Sequence, residues 1–306
     1  MSTEQNDAEV MTRSERNWGW QKITTLILAS SVLLAIPASA QNTHQAASAK
    51  QKQRYEIQNL GHRGIGNGAN VYSLTREQET GKLIAAQLER YSQVIADEVV
   101  NEYITQLGRT IASHSDLLVP LTIRVIRDDE TNAFSLPGGY VYVNTGLILQ
   151  VNNEAQLAGV IAHEIAHVAA RHGTRRETRF RSVLAVCGFM RPKYNRDAER
   201  EADLLGLEYQ YLSGYDPQEF IRLFEKLAEP NTKTSFMERV FSSYPSTAER
   251  IRRAQETIDQ YLPPKEQYVI DTARFEEMKS RVEQLLNSDT AATDNQSAAL
   301  SVVIVK

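Results

Sequence analysis

The sequence predicts an α+β fold, mostly helical, with a small antiparallel sheet whose edge strand flanks a buried helix. Three observations carry this. Residues 155–173, AQLAGVIAHEIAHVAARHG, are apolar nearly all round at Leu157, Val160, Ile161, Ile165 and Val168, the pattern of a helix enclosed by the rest of the chain. Two short stretches, LTIRVI (121–126) and GYVYVN (139–144), alternate or are rich in strand formers. Amphipathic segments with helical spacing fill most of the remaining chain.

The 306 residues are 42% hydrophobic and 24% charged, enough for one or two domains with a sizeable core. A net charge of −4 gives no argument for nucleic-acid binding. The single cysteine, Cys187, excludes an intramolecular disulfide and a cysteine-rich zinc site. It lies in the apolar run SVLAVCGF, where a buried small hydrophobe is the plain role.

Residues 1–22 include Arg13, Arg16 and Lys22, and residues 23–36, ITTLILASSVLLAI, are uncharged and apolar. Pro37 and Ala38-Ser39-Ala40 follow. A basic region, a short apolar core and a small-x-small end predict a secretory signal peptide over 1–40. The rival is an uncleaved N-terminal anchor, against which the run is short for a membrane span. Residues 41–75 are polar with no apolar period and read as a flexible lead-in.

One helix is expected over about 76–91 with Leu83, Ala86 and Leu88 inward, and a second over about 97–113. LTIRVI is a half-buried strand. Pro137-Gly138-Gly139 is a turn, and the strand after it is either half of an ordinary hairpin or an edge over the buried helix. An edge at Gly138, Gly139, Tyr140, Val141 and Tyr142 would let an extended peptide pair with it. Residues 171–181 hold five arginines, a solvated face or a contact for anionic lipid or substrate. The stretch 196–217 is expected to form a helix with Asp197 as its cap and Gly214 as its stop, and further helices are expected over 217–230, over 246–262 and over 272–286. A linker and an apolar tail with strand propensity, LSVVIVK, complete residues 287–306.

The chemistry is concentrated in the buried helix. His163 and His167 are four apart and share a helix face, so they can chelate one zinc ion. Glu164, one step round, can take a proton from water at such a metal. This is the H-E-x-x-H pattern of metalloproteases; the plainer alternative is a pair of satisfied core histidines. In the helix from 196, Glu199 can be a third ligand. Asp203, one turn on, can hydrogen-bond a ligating imidazole. The plainer alternative there is a solvated charged face, with Arg200 and Glu201 among them.

NAFSLPGGYVYVNTGLI (132–148), HEIAH (163–167), EREAD (199–203), GYDP (214–217) and YPSTAERI (244–251) together resemble the M48 peptidases. These are zinc metalloproteases that include the Ste24, Oma1 and HtpX types, and within them the chain is similar to the soluble periplasmic, BepA-like branch. The resemblance covers residues 76–262. It implies a gluzincin-like fold, one Zn2+ per chain on His163, His167 and Glu199, Glu164 as base, and the strand after Pro137 as substrate edge. It further implies protein or peptide substrates and a periplasmic location, with a membrane surface or outer-membrane assembly machinery as partners. One departure concerns Tyr244, where members often carry histidine. It would donate a hydrogen bond to the transition-state oxyanion or serve as a packing residue. The rival function is a chaperone or quality-control scaffold with a structural zinc.

Overall fold

The computed structural model describes residues 60, 62–187, 196–228 and 247–303. The expected signal peptide, most of the lead-in and the loop holding Tyr244 lie outside them. Helices α1 (Leu74–Tyr91) and α2 (Glu98–Ser113) precede strands β1 (Thr122–Ile126), β2 (Ala133–Leu136) and β3 (Tyr140–Asn144). Helices α3 (Thr145–Gln150), α4 (Glu154–Ala169), α5 (His172–Cys187), α6 (Arg196–Leu212), α7 (Gln218–Leu227), α8 (Thr247–Tyr261) and α9 (Ala273–Val303) follow. The fold is α+β and mostly helical, as expected. Among the described residues no helix is long and apolar enough to cross a membrane.

The sheet corrects the expected strand arrangement in two ways. Its order is β1-β3-β2, with β1 parallel and β2 antiparallel to β3, so it is mixed rather than purely antiparallel. The expected substrate edge, Gly138 to Tyr142, runs into the central strand: Val141 pairs with both Ile123 and Ser135 and is fully buried. The turn at 137–139 does make a hairpin, but its first strand, β2, lies at the rim. Asn144 donates its N–H to the Asn132 carbonyl at 2.9 Å. By antiparallel alternation, the backbone groups of Ala133 and Ser135 therefore face away from β3. The other rim is covered: Ile95 N–H bonds the Val125 carbonyl at 2.9 Å, and Arg127 N–H bonds that of Gln93 at 2.8 Å.

Each face of the sheet is buried. Phe134, Leu136, Tyr140 and Tyr142 pack with Ala85 and Leu88 beneath α1. Ala133, Val141, Val143, Ile123 and Val125 join the main core against α2 and α4. That core is centred on α4, whose Leu157, Ile161 and Ile165 are fully buried, each contributing about 1.5–3 kcal/mol.

The face of α1 also differs from expectation. Leu83 is 72% exposed, and Glu77, Gly81 and Ala85 turn inward. Small residues win this face because the helix lies directly on the hairpin turn: a Cβ on Gly81 would come within 1.8 Å of the Pro137 carbonyl oxygen. The described end of the lead-in is packed rather than loose. Ile65 is 3% exposed, and buried Arg63 donates to Glu208 at 2.6 Å and to Asp116, which also accepts from Tyr209 at 2.8 Å. At the other end, α9 continues through Val303 where a linker and strand-prone tail were expected. No glycine or proline follows Pro264 to stop it.

Two outcomes are expected. Helix propensity alone would make Gly81→Ala stabilising by about 1 kcal/mol. The clash with Pro137 should instead cost about 1–3 kcal/mol, visible as a lower Tm. Burial pushes Glu208 up to about 7, against the pull of Arg63. The raised carboxyl keeps its proton in the folded state after the unfolded chain has lost it, so this group's contribution to stability falls as pH rises from 4.5 to about 7 and is flat above. Relative to Glu208→Gln, the wild-type Tm should drop by on the order of 5 °C across that window, as followed by thermal denaturation at pH 4–9.

Candidate metal centre

Asn153 caps α4 by accepting from the Gln156 N–H at 3.0 Å. The helix ends at Ala169, earlier than Gly173, which lies inside α5. Arg171 separates the two helices with φ of 57°, an uncommon conformation for a residue with a Cβ. α6 crosses α4 at close range because Gly206 lies against the His163 backbone; a Cβ there would be 3.0 Å from both the His163 Cα and N atoms.

This crossing brings the expected ligand atoms together. His163 Nε2 and His167 Nε2 are 3.0 Å apart, and each is 3.7 Å from Glu199 Oε2. Tetrahedral zinc at about 2.0–2.1 Å from each donor would separate them by roughly 3.3 Å. The triangle therefore fits a zinc ion with shifts of a few tenths of an ångström. Among the described residues it is the one group of three or more such side chains able to hold a metal.

The electrostatics point the same way. Burial alone would lower the His163 imidazole, yet Asp203 and Glu199 raise it to about 9. Burial opposes ionisation of Glu199, yet the two histidines hold it far below the usual carboxylate range. Both shifts record the mutual attraction of the imidazoles and carboxylates gathered in this buried site. Behind His163, Asp203 Oδ1 lies 3.2 Å from Nδ1, within ion-pair distance but out of line for a hydrogen bond. Arg250 grips Asp203 with two donors, its Nε at 2.8 Å from Oδ2. That pairing keeps the buried Asp203 low despite the cost of burial.

Glu164 lies beside the triangle and accepts from Ser135 Oγ at 2.8 Å. A cavity of about 290 Å³ opens here, lined along β2 by Ala133 to Leu136 and opposite by His163, Glu164, His167 and Glu199. The structure thus gathers His163, Glu164, His167, Glu199 and Asp203 in one place. Gly138 lines the same cavity, but Gly139, Tyr140, Val141 and Tyr142 do not. Tyr244 and the Cys187 side chain lie outside the described residues.

Four residues escape sequence reasoning. Ser135 shares the α4-facing side of β2 with Ala133, a period-2 signal that was available. Arg250 falls on the buried face of α8 with Ala254 and Thr257, where an arginine needs a partner. His172 is five residues from His167, outside the helical i, i+4 rule, and Glu201 read as solvated. In the structure His172 Nδ1 meets His167 Nδ1 at 2.9 Å, and its Nε2 meets Glu201 at 3.2 Å. Burial pushes His172 down to about 4, so it is neutral near pH 7.

Comparison with known proteins adds relatives to this geometry. A Vibrio cholerae relative is 33% identical over 225 residues, 63% of this chain and 46% of its own length. The beta-barrel assembly-enhancing protease of Escherichia coli is 28% identical over 227 residues, 64% of this chain and 47% of that protein. The mitochondrial metalloendopeptidase OMA1 of Schizosaccharomyces pombe is 31% identical over 161 residues, 46% of each chain. The chain spans about half the length of the curated relatives it matches. The model of peptidase family M48 matches residues 97–191 and 178–258, more than half of the chain and all of the metal centre. With two histidines and a glutamate converging on one point beside an acidic residue, the chain belongs to peptidase family M48.

Proposed function

We propose that this chain is a zinc-dependent endopeptidase of the bacterial envelope that hydrolyses misfolded proteins. The observation that carries the reading is the donor triangle of His163, His167 and Glu199 with Glu164 beside it, opening onto β2, whose outer rim is unpaired among the described residues. A catalytic zinc keeps one position open on three protein ligands, whereas a structural zinc is closed by four. Three ligands gather here among the described residues, which favours the enzyme over a scaffold. The names of the relatives, a beta-barrel assembly-enhancing protease and a mitochondrial metalloendopeptidase, support protein substrates and outer-membrane assembly as the setting. The expected signal peptide supports export to the periplasm.

Zinc held by the three ligands supplies a Lewis acid that polarises a carbonyl and lowers the pKa of water. The chain's own residues do the rest. Ala133 and Ser135 offer backbone N–H and C=O groups to an extended peptide, which pairs with β2 as an added strand. Glu164 takes the proton of the attacking water and returns it to the leaving amine. Ser135 donates to one Glu164 oxygen and so leaves the other to face the reaction. Asp203, held by Arg250, keeps His163 in place. The Asp203–Arg250 pair also orders α8 against α6.

The test is metal content and casein hydrolysis on the full chain and on Glu164→Gln. One zinc per chain in both, with hydrolysis at least about 10³-fold lower in the variant, is expected. Hydrolysis at the wild-type rate in Glu164→Gln removes the assignment of the base. Zinc in both with hydrolysis in neither turns the reading toward the scaffold.

A further inference from the structure

His167 uses one ring nitrogen in the donor triangle, and its other nitrogen is engaged in a second arrangement. Its Nδ1 lies 2.9 Å from Nδ1 of His172, and two ring nitrogens at that distance share a single proton. Nε2 of His172 lies 3.2 Å from Glu201 Oε2. An ionised carboxylate only accepts, and Arg175 Nη1 at 3.7 Å keeps a cation beside Glu201. His172 therefore carries its proton on Nε2. A neutral imidazole holds one proton, so with it on Nε2 the Nδ1 of His172 is the acceptor. The shared proton then belongs to His167 Nδ1, and His167 Nε2 presents a lone pair to His163 and Glu199.

The arrangement is built, not incidental. His172 is brought back onto His167 by the left-handed conformation of Arg171. Such a conformation is disfavoured for a residue with a Cβ. Arg171 is held there by Glu77, whose Oε1 accepts from its Nε at 2.9 Å, and by the Tyr72 carbonyl. Glu201 comes from α6, the helix that also brings Glu199.

We propose that His172 and Glu201 are positioning residues, a relay that sets the tautomer and ring rotation of His167 so that its Nε2 can bind the metal. This rests on reading His163, His167 and Glu199 as the zinc ligands. One carboxylate, through a neutral imidazole, thus governs a ligand it does not touch. His163 differs, having its carboxylate, Asp203, beside it.

The experiment uses the full chain and a matched pair of variants. Asparagine and leucine have nearly the same shape, but only asparagine places an acceptor oxygen where His172 Nδ1 lies. Zinc affinity is measured by competition with a chromogenic chelator, and the ligand field by the visible spectrum of the cobalt-substituted protein. His172→Leu should bind zinc about 10–100-fold more weakly with an altered cobalt spectrum, while His172→Asn stays close to wild type in both. Equal affinities in the two variants overturn the relay, because packing alone then explains His172. Should the leucine variant not fold, long-range proton–nitrogen NMR of the zinc-loaded wild type decides. His167 protonated at Nδ1 and His172 at Nε2 are expected, and the reverse placement overturns the relay. A wild-type chain with no zinc affinity removes the underlying metal assignment instead, whatever the variants do.

Discussion

The crossing of α4 and α6 is the constraint on which the candidate metal centre depends. Two histidines on one helix turn offer two donors; the third must come from elsewhere in the chain at a separation of a few ångströms. Gly206 allows α6 to lie against the His163 backbone. A Cβ at 206 would press on the His163 backbone and force the helices apart by a few tenths of an ångström, loosening the reach of Glu199 to both imidazoles. Phe220, stacked against His163 with ring centroids 6.1 Å apart, backs the ring from the α7 side. The centre is thus a product of helix packing, and the apolar run of α4 supplies the burial that makes the packing rigid.

Around this crossing the polar groups are organised in layers that each answer the charge of the one before. His163 is backed by Asp203 and then Arg250; His167 is backed by His172, Glu201 and Arg175. Both series end in an arginine, so neither carboxylate is buried as an uncompensated charge. A separate cluster, Arg63 with Asp116 and Glu208, binds the segment before α1 to the far end of α6. That cluster is fully enclosed, and one Glu208 oxygen has no hydrogen-bond partner, which agrees with its reluctance to ionise.

Much of this was legible in the sequence because it follows helical spacing. His163, Glu164 and His167, and likewise Glu199 and Asp203, are fixed relative to each other within one helix, and the buried character of α4 shows directly in its composition. Strand order was not legible: LTIRVI and GYVYVN each announce a strand, but nothing local tells that β1 would insert on the far side of β3 and leave β2 at the rim. The orientation of α1 failed for a related reason. Leu83 outranks Gly81 on any hydrophobic scale, yet a turn from elsewhere in the chain decided which face could approach. His172 was invisible because its partnership depends on the backbone reversal at Arg171, which no residue pattern marks.

The rim of β2 carries a consequence for what can be recognised there. It offers the N–H and C=O of two residues, so a bound chain gains at most four backbone hydrogen bonds, about 2–6 kcal/mol in net terms. Those groups are alike in every polypeptide, so the rim reads conformation and not composition. In a folded protein the matching groups are already paired, and a stability of about 5–15 kcal/mol exceeds what the rim returns. Under the proposed function, selection at this surface would act on the local opening free energy of a partner: a segment that has already come loose would be admitted, and the same segment in a well-formed sheet would be refused.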